Sequence, residues 1–341
     1  MKQLKIGIIG YGVVGKRRRK YIDLNPYFQT HYVSDVNFDG DGEFSDGVYY
    51  FKDYRKIFDH EVDIVFVSLP NYLSAEVTIL GLENNCHVFC EKPPAKTVAE
   101  VKAVIECSQK YPQLKLKYGF NHRYHDSVKK VKKIIDSKKY GEVMSFRGVY
   151  GKSSIIPFDS GWRSEKKYAG GGILLDQGIH MLDLVRYFSC DYDEIYSFIS
   201  NDYWKHDIED DAFILMKSKE GQVASLHSTA TQWQHRFRLE IILKEGLLEL
   251  AGILSGSKSY GSETLKIIER KHGESTGAQE EKLYTFLSDN SWKEEIDEFA
   301  DHIINDLPIE NGTSYDALKV MEMIFDVYKA DKNWWKYFNN Y

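Results

Sequence analysis

The stretch LKIGIIGYGVVGKRRRKY (Leu4–Tyr21) decides the fold of the first part of this chain. Its apolar start predicts a β-strand over Leu4–Ile9, and the pattern G-x-G-x-x-G follows directly, before residues that can begin a helix. In a strand, turn and helix of this kind, the glycines permit a tight turn, close approach of backbone to a pyrophosphate, and close packing of helix on strand. The helix N-terminus then offers N–H groups to the phosphates. We therefore predict a dinucleotide-binding turn formed by Gly10, Gly12, Val13, Val14 and Gly15.

An acidic residue at the end of the second predicted strand strengthens this interpretation. Asp35 lies 20 residues past Gly15, where a carboxylate can accept both ribose hydroxyls and repel a 2′-phosphate. The next residues, Val36 and Asn37, offer no arginine to such a phosphate. The pattern favours NAD(H) over NADP(H) as cofactor. The alternative is a glycine turn of another α/β domain with Asp35 on its surface. The basic run Arg17–Lys20 is predicted to form a solvated helix face.

Composition excludes several classes of protein. The 341 residues contain 45 Lys+Arg and 51 Asp+Glu, a formal net charge of −6, which argues against a nucleic-acid partner. No apolar run approaches the roughly 18 residues of a membrane span, so no membrane partner is predicted. The four cysteines show no C-x-x-C spacing and are too few for a disulfide framework. We expect reduced thiols and a cytoplasmic protein.

The order of elements predicts two domains. In the first third, apolar runs alternate with amphipathic helical patterns, which indicates a doubly wound parallel sheet of Rossmann type over residues 1–120. Runs with period-two alternation then follow one another without intervening helices, which favours a large, mostly antiparallel open sheet. The predicted class is α/β, with an α+β domain for substrate binding and oligomerisation over residues 121–341.

Two long segments resemble a known family. VSLPNYLSAEVTILGLENNCHVFCEKP (Val67–Pro93) and GGGILLDQGIHMLDLVRYF (Gly170–Phe188) are similar to signatures of the Gfo/Idh/MocA oxidoreductases, the family of glucose-fructose oxidoreductase and inositol dehydrogenase. The likeness runs from Lys5 to about Leu250, and one departure is Ser74, where many relatives have histidine. The resemblance implies an NAD-dependent oxidoreductase acting on a ring carbon of a sugar, cyclitol or nucleotide sugar. It places in the cofactor site Leu69, Pro70, Asn71, Glu91 and Lys92.

The EKP motif also has a physical interpretation. Pro93 disfavours helical backbone at Lys92, which is thereby held extended at the C-terminal edge of a parallel strand, where ligands of such sheets bind. A partly desolvated amine near an oxidised nicotinamide can exchange a proton with a substrate hydroxyl. The alternative is an exposed ion pair between Glu91 and Lys92.

A second candidate group is Asp176 with His180. Four residues apart on a predicted helix, they share one face, and a histidine is suited to proton transfer near neutral pH. The glycines Gly170–Gly172 are expected to let backbone approach a ligand. The alternatives are a structural histidine or half of a metal site. A metal needs a third ligand, for which His122 and His125 qualify only by residue type, so we predict no metal.

Two further pairs are predicted to contact substrate. Asn121 and Arg123 follow the last strand of the first domain, where members of the resembled family place substrate-facing residues. Trp162 and Arg163 offer a sugar an aromatic face and a donor fork. Packing at a domain interface is an equal alternative for both pairs.

The predicted reaction moves a hydride between a ring carbon and the nicotinamide. His180 is assigned the direct proton transfer, with Asp176 beside it and Lys92 as substrate orienter, and the reverse assignment of His180 and Lys92 stays open. The resemblance also allows an NAD-dependent glycosidase or a non-enzymatic sensor, and weakly favours surface-glycan synthesis. In the resembled family the open sheet face commonly forms the subunit interface, so the resemblance implies a homodimer or homotetramer.

Overall fold

The computed structural model describes residues 3–155, 161–255, 259–270 and 279–339. The chain folds into two compact units. Unit 1 contains Met1–Asn121 and Trp292–Leu318, and unit 2 contains His122–Ser291 and Lys319–Tyr341. The predicted domain of residues 121–341 therefore differs from unit 2 at Trp292–Leu318, which joins unit 1, while Lys319–Tyr341 stays in unit 2.

The described residues of unit 1 form the predicted parallel sheet. Its strand order is β3-β4-β2-β1-β5-β6-β7, in which every neighbouring pair except β3 and β4 is parallel. Strand β5, beside the central strand β1, is apolar throughout and fully buried, as expected for a sheet covered on both faces. The strands are β1 Leu4–Ile9, β2 Phe28–Ser34, β3 Gly42–Glu43, β4 Tyr49–Phe51, β5 Ile64–Val67, β6 His87–Glu91 and β7 Leu116–Gly119.

Helices alternate with these strands, as the sequence predicts. They are α1 Val13–Ile22, α2 Asn71–Glu83 and α3 Val98–Ser108, with a 3₁₀ turn at Tyr54–Asp59. Helix α3 begins in a capping box, in which Thr97 Oγ1 accepts from the N–H of Glu100 at 3.2 Å and the Glu100 carboxylate accepts from the N–H of Thr97 at 3.1 Å. The start of this helix is thus fixed locally by its own sequence.

Unit 2 contains a second sheet of order β15-β14-β13-β12-β8-β11-β10-β9. Of the described neighbouring pairs, β8 with β11 is parallel and the others are antiparallel. The predicted open, mostly antiparallel sheet is confirmed. The strands are β8 Val143–Ser153, β9 Glu194–Ser200, β10 Asp211–Lys217, β11 Val223–Gln232, β12 Arg236–Leu243, β13 Gly246–Ala251, β14 Glu263–Arg270 and β15 Gln279–Phe286.

Two predicted helices of unit 2 are interrupted near their starts. A 3₁₀ turn at Asn121–Tyr124 precedes α4 because His125 is extended, with φ −61° and ψ 136°. A π-helical turn, Leu174–Gly178, leads into α6. A 3₁₀ turn also forms at Gly161–Ser164. The remaining helices are α4 Asp126–Asp136, α5 Lys166–Ala169, α6 Ile179–Phe188, α7 Ser291–Ile304, α8 Ser314–Ala330 and α9 Lys332–Asn339. None of these, over the residues described, has the length and hydropathy to cross a membrane.

Helix α7 explains why part of the C-terminal region joins unit 1. Its apolar side chains enter the core beneath the parallel sheet, where Phe299 packs edge-on against Phe89 with ring centroids 5.6 Å apart. Ile296 and Phe299 are fully buried there. The sequence predicts this helix, but its apolar face alone does not show which sheet it covers.

Candidate functional site

The glycine turn after β1 leaves no room for side chains at two of its three glycines. Gly10 has a φ of +91°, and a Cβ there would lie 2.2 Å from the carbonyl oxygen of Ser68. A Cβ on Gly15 would lie 2.0 Å from the carbonyl oxygen of Gly10. Both distances are far inside van der Waals contact, so packing of α1 on the turn requires glycine at these positions.

Gly12 differs from its neighbours, because a Cβ built on it meets no described atom within 4 Å. Gly12 is the N-cap of α1 and makes no described side-chain hydrogen bond there. The first hydrogen bond of the helix runs from the N–H of Lys16 to the carbonyl of Gly12, at 3.0 Å. The N–H groups of Val13, Val14 and Gly15 precede that bond and lack intrahelical acceptors. Open space beside a helix N-terminus is the setting in which proteins bind phosphate groups.

Asp35 follows β2 directly and is oriented over this turn. Its Oδ2 accepts from the N–H of Tyr11 at 2.9 Å, and its Oδ1 accepts from the N–H and the side-chain amide of Asn37 at 2.9 and 2.7 Å. The carboxylate is half-buried and joins the glycine turn to the end of β2. Val36 beside it is exposed and apolar. This position fits contact with an adenosine ribose.

The connection from β5 to α2 contains the predicted residues Leu69, Pro70 and Asn71. Leu69 lies beside the glycine turn, since its Cδ2 would be 3.2 Å from a Cβ on Gly10. Ser74 is buried, and its Oγ donates to the carbonyl of Pro70 at 3.3 Å. Ser74, which stands where many relatives in the resembled family have histidine, therefore stabilises this connection by a hydrogen bond to the backbone of Pro70.

Glu91 and Lys92 lie at the C-terminal end of β6, where the sequence places them. Lys92 is half-buried, and the Lys92–Pro93 peptide bond is cis. The Glu91 carboxylate accepts from Nε of Arg18, which gives this side chain a structural contact within unit 1, and its contact with the cofactor stays a prediction.

Arg18 corrects the prediction of a solvated basic face on α1, since its side chain is fully buried. The guanidinium contacts the rings of Phe89 and Trp292, at 4.4 and 4.3 Å from their centroids, and also pairs with Glu295 of α7 at 2.7 Å. Arg18 is buried because Glu91 and Glu295, both distant in sequence, together compensate for the cost of burying its charge. Helix α1, the EKP strand and α7 thus meet at one ion-pair cluster.

In unit 2, His180 is buried in the first turn of α6. Its ring stacks on that of His122, with centroids 3.6 Å apart and planes 12° apart. His122 Nε2 lies 3.1 Å from the hydroxyl of Tyr150 on β8. The sequence singles out His180 but gives His122 no role beside it.

Asp176 lies half-buried in the π-helical turn, one turn before His180. Burial raises the pKa of Tyr260, and the charge of Asp176 raises it further. Burial lowers the pKa of Lys152, against the opposing charge of Asp176. Tyr260 also donates to Oε1 of Gln177 at 3.1 Å. Tyr150 and Lys152, two apart on one face of β8, extend this polar surface, and no sequence motif points to either.

Two of the glycines before this turn, Gly171 and Gly172, serve packing rather than ligand approach, which corrects the prediction for these two positions of Gly170–Gly172. A Cβ on Gly172 would lie 2.0 Å from the carbonyl of Glu209, and one on Gly171 would lie 2.3 Å from the Tyr328 hydroxyl. The buried Glu209 carboxylate accepts from the N–H groups of Gly172 and Leu174 at 2.8 and 2.9 Å. It therefore holds the start of the segment that contains Asp176.

The predicted substrate-binding pairs have different surroundings. Nε and one terminal nitrogen of Arg123 donate to the two carboxylate oxygens of buried Asp183 at 2.9 and 2.6 Å, a pairing within unit 2, and the substrate contact of Arg123 stays a prediction. Asn121 is buried as the last residue of the first segment of unit 1. Arg163 is exposed, and its guanidinium lies 4.3 Å over the ring of Trp162. Burial is the main cause that lowers the pKa of Lys152; the charge of Arg163 lowers it further, whereas the charge of Asp176 raises it. This second pair therefore lies near the polar surface of unit 2.

Metal ligation finds no support in the part of the chain that the structure describes, where His, Cys, Asp and Glu form no group of three or more with suitable geometry. His122 and His125, the candidates by residue type, have other surroundings. His125 Nδ1 lies 2.8 Å from Glu263 Oε2, and His122 stacks on His180.

Comparison with known proteins identifies the class to which this fold and these motifs belong. Residues 4–120 match the oxidoreductase family with an NAD-binding Rossmann fold, and residues 128–249 match the GFO/IDH/MocA C-terminal domain. The chain therefore belongs to the Gfo/Idh/MocA oxidoreductase family, and its N-terminal region is an NAD-binding Rossmann domain. The resemblance and the cofactor class predicted from the sequence are confirmed.

Curated relatives match parts of the chain. Levoglucosan dehydrogenase of Pseudarthrobacter phenanthrenivorans is 29% identical over 223 residues, 59% of this chain and 55% of that protein. D-glucoside 3-dehydrogenase of Escherichia coli is 34% identical over 127 residues, 37% of this chain and 35% of that protein. Inositol 2-dehydrogenase of Salmonella typhimurium is 32% identical over 161 residues, 45% of this chain and 48% of that protein. The alignments thus span about half or less of these relatives.

Solved structures share the fold over nearly the whole chain. Levoglucosan dehydrogenase in complex with NADH superposes with a TM-score of 0.82 at 20% identity, covering 98% of both chains. Aldose-aldose oxidoreductase from Caulobacter crescentus, complexed with glycerol, gives a TM-score of 0.82 at 22% identity, covering 97% of this chain and 98% of that chain.

Proposed function

We propose that this protein is an NAD(H)-dependent dehydrogenase or reductase that transfers a hydride between nicotinamide and a ring carbon of a sugar, a cyclitol or a sugar carried on a nucleotide. The observation that carries this proposal is a dinucleotide turn, open at Gly12 and flanked by Asp35, in a chain whose second unit buries His180 close to Asp176. The names of the levoglucosan, glucoside and inositol dehydrogenases among its relatives support this substrate class.

The cofactor half of the proposal assigns each group of unit 1 a task. The first turn of α1 offers N–H groups to the pyrophosphate, and the oriented Asp35 carboxylate accepts the ribose hydroxyls. Leu69, Pro70 and Asn71 line the cofactor on the neighbouring connection. When bound, NAD supplies the hydride acceptor, and the protein supplies binding and orientation.

The substrate half assigns proton transfer to His180. Its imidazole takes the hydroxyl proton as the carbinol is oxidised, or returns it in the reverse direction. Asp176 accepts a hydrogen bond from a neighbouring ring hydroxyl, and the Lys92 ammonium orients the substrate. Trp162 and Arg163 are proposed to contact the substrate beyond the reacting carbon.

The test is a substrate panel on the purified protein. Neutral monosaccharides, cyclitols, anhydrosugars and nucleotide sugars are each mixed with protein and NAD⁺, and NADH absorbance is followed. We expect formation of NADH with at least one ring alcohol. If the protein binds NADH but neither oxidises any panel member nor reduces any corresponding ketone, the proposed activity is contradicted and a dinucleotide sensor is favoured. Release of an aglycone without net NADH formation would indicate a glycosidase.

We also propose that the protein forms a homodimer or homotetramer through the unit 2 sheet. The support is an apolar patch on the outer face of β9 and β10, where Tyr196, Phe198, Phe213 and Leu215 are exposed and Phe198 is 79% accessible. Phe213 pairs with Phe198 across the strands, and Leu215 with Tyr196. A cluster of large exposed side chains of this kind marks interaction surfaces. The outer face of β11 and β12 is mostly polar, so the proposed contact lies toward the β9 edge.

The compartment is proposed to be the reducing cytoplasm. All four cysteines are free thiols, three of them buried. Burial raises the pKa of Cys86 and of Cys90 to about 12, which keeps both thiols protonated and unreactive.

A further inference from the structure

Two buried imidazoles of unit 2 are in face-to-face contact. The His122 and His180 rings have centroids 3.6 Å apart and planes within 12°. Both side chains are buried, and the rings come from elements distant in sequence, the Asn121–Tyr124 turn and the first turn of α6. The stack therefore depends on the tertiary fold of this unit.

The His122 ring is fixed by contacts on its other sides. Its Nε2 lies 3.1 Å from the Tyr150 hydroxyl, and the His125 ring meets it edge-on at 5.5 Å. His125 is held in turn by buried Glu263 at 2.8 Å. Burial alone would raise the pKa of Glu263, but hydrogen bonds from His125 and Ser127 lower it overall, so this carboxylate is charged near neutral pH.

The remaining ionisable groups near the stack come from several elements. Tyr150 and Lys152 lie on β8, Tyr260 precedes β14, and Asp176 is one turn before His180. Arg123 and Asp183 lie beside the two histidines in sequence and form a bidentate pair, so their charges balance. The charge of Asp176 acts on three of these groups, Tyr150, Lys152 and Tyr260.

Two imidazolium ions at this separation repel strongly in a buried environment, so a proton on one ring makes a proton on the other less favourable. Tyr150 can accept a hydrogen bond from protonated His122, which gives the first proton a partner on that ring. A proton held on His122 disfavours protonation of His180. The His180 ring then remains able to act as a base.

We propose that His122 is a positioning residue that aligns the His180 ring by stacking and keeps its imidazole uncharged at neutral pH, ready to accept the substrate proton. This inference rests on the proposed function only in assigning proton transfer to His180. The coupling itself is a property of the folded chain and is measurable without substrate.

The experiment is an NMR titration of the histidine rings in the full chain with NADH bound. The signal of His180 is assigned from its loss in His180→Asn. In His122→Phe, which keeps a ring in the stack but removes its charge, we expect the pKa of His180 to rise by about one unit or more, a tenfold change in proton affinity. His122→Gln, which keeps a polar group near Tyr150 without a charge, should shift it in the same direction and serves if His122→Phe does not fold.

The control is His227→Phe, which changes a second stacked imidazole, lying 3.9 Å from the ring of Phe213 on the outer face of the sheet. It should leave the pKa of His180 unchanged. An unchanged or lowered pKa of His180 in both His122 variants overturns the inference, whether or not the protein oxidises sugars. A raised pKa supports it, and the acidic limb of the kcat/KM profile should then move upward by the same amount. A raised pKa in a protein that oxidises no ring alcohol supports the coupling and refutes the proposed function instead.

Discussion

The carboxylate of Asp35 accepts hydrogen bonds from three donors, the N–H of Tyr11 and the N–H and side-chain amide of Asn37. A negative charge fixed in this orientation repels a 2′-phosphate, so NADH should bind more tightly than NADPH. In Asp35→Asn the repulsion is removed while a hydrogen-bond acceptor remains. We expect the ratio of the NADPH and NADH dissociation constants to fall by about tenfold, a change of about 1.4 kcal/mol. Fluorescence titration with both cofactors measures it.

The matched control for this titration is Asp39→Asn, an exposed acidic residue four positions along the same loop. It should leave the ratio unchanged. Equal affinity of the wild-type protein for NADH and NADPH would contradict the role assigned to Asp35.

At the scale of elements, the turn before α1 separates binding from folding. Gly12→Ala places a methyl group in open space beside the helix N-terminus, whereas Gly15→Ala places one 2.0 Å from the Gly10 carbonyl. We expect Gly12→Ala to keep a near-normal melting temperature and to weaken NADH binding by about tenfold, because the methyl group meets the pyrophosphate. Gly15→Ala should lower the melting temperature itself. Thermal unfolding and NADH titration of both variants distinguish the two effects, and normal NADH affinity in Gly12→Ala would refute the assigned phosphate position.

The Glu209 carboxylate, which accepts hydrogen bonds at the start of the π-helical turn, makes the free energy of unfolding depend on pH. Burial raises the pKa of Glu209 to about 7, against hydrogen bonds from Tyr328, Gly172 and Leu174 that lower it. Because the folded chain binds this proton more tightly than an unfolded chain with a pKa of about 4.3, the stabilisation is present below about pH 4 and is lost as the pH rises to about 7. The loss is roughly 3 kcal/mol.

In Glu209→Gln this titration is absent, so the free energy of unfolding should fall less between pH 5 and pH 7 than it does in the wild type. Urea unfolding at the two pH values measures the difference. Glu194→Gln, at an exposed position of β9, should keep the wild-type dependence. Equal pH dependence in Glu209→Gln and the wild type would show that Glu209 does not retain a proton on folding.

The sequence predicts best those elements whose local pattern decides their structure. The apolar strands of unit 1 and the turn at Gly10–Gly15 follow from runs of buried residues and from backbone geometry. Strand β8 is not predicted because Gly148 and Gly151 interrupt its alternation, and neither is edge strand β15, QEEKLYTF, because its charges resemble those of a solvated segment. Pairing with neighbouring strands, which a local pattern does not contain, decides both.

Among the site residues too, some are predicted by a local motif, whereas others depend on contacts with residues distant in sequence. Asp35, Lys92 and His180 follow from motifs whose spacing has a chemical reason. The buried charge of Arg18 depends on Glu91 and Glu295, 73 and 277 positions away, and the stack of His122 on His180 joins two separate segments. Such contacts arise only when the tertiary fold forms.

At the scale of the whole molecule, the apolar patch on β9 and β10 predicts self-association. Phe198→Glu combined with Leu215→Glu places two charges on this patch, and burying them against a second copy would be costly. Light scattering at micromolar concentration should give a dimer or tetramer for the wild type and a smaller species for the double variant. Leu307→Glu, at an exposed apolar position of unit 1, is the control and should retain the wild-type mass. A monomeric wild-type protein would contradict the assembly.

In the proposed reaction His180, the buried histidine of α6, transfers the substrate proton. The most direct measurement is the turnover of His180→Asn on the ring alcohol identified by the panel, together with its affinity for NADH. Asparagine keeps hydrogen bonding but does not transfer a proton at neutral pH, so turnover should fall by about 10²- to 10⁴-fold while NADH affinity stays nearly unchanged. Near-normal turnover in His180→Asn would contradict the claim and assign the proton transfer to Lys92 or to a water molecule.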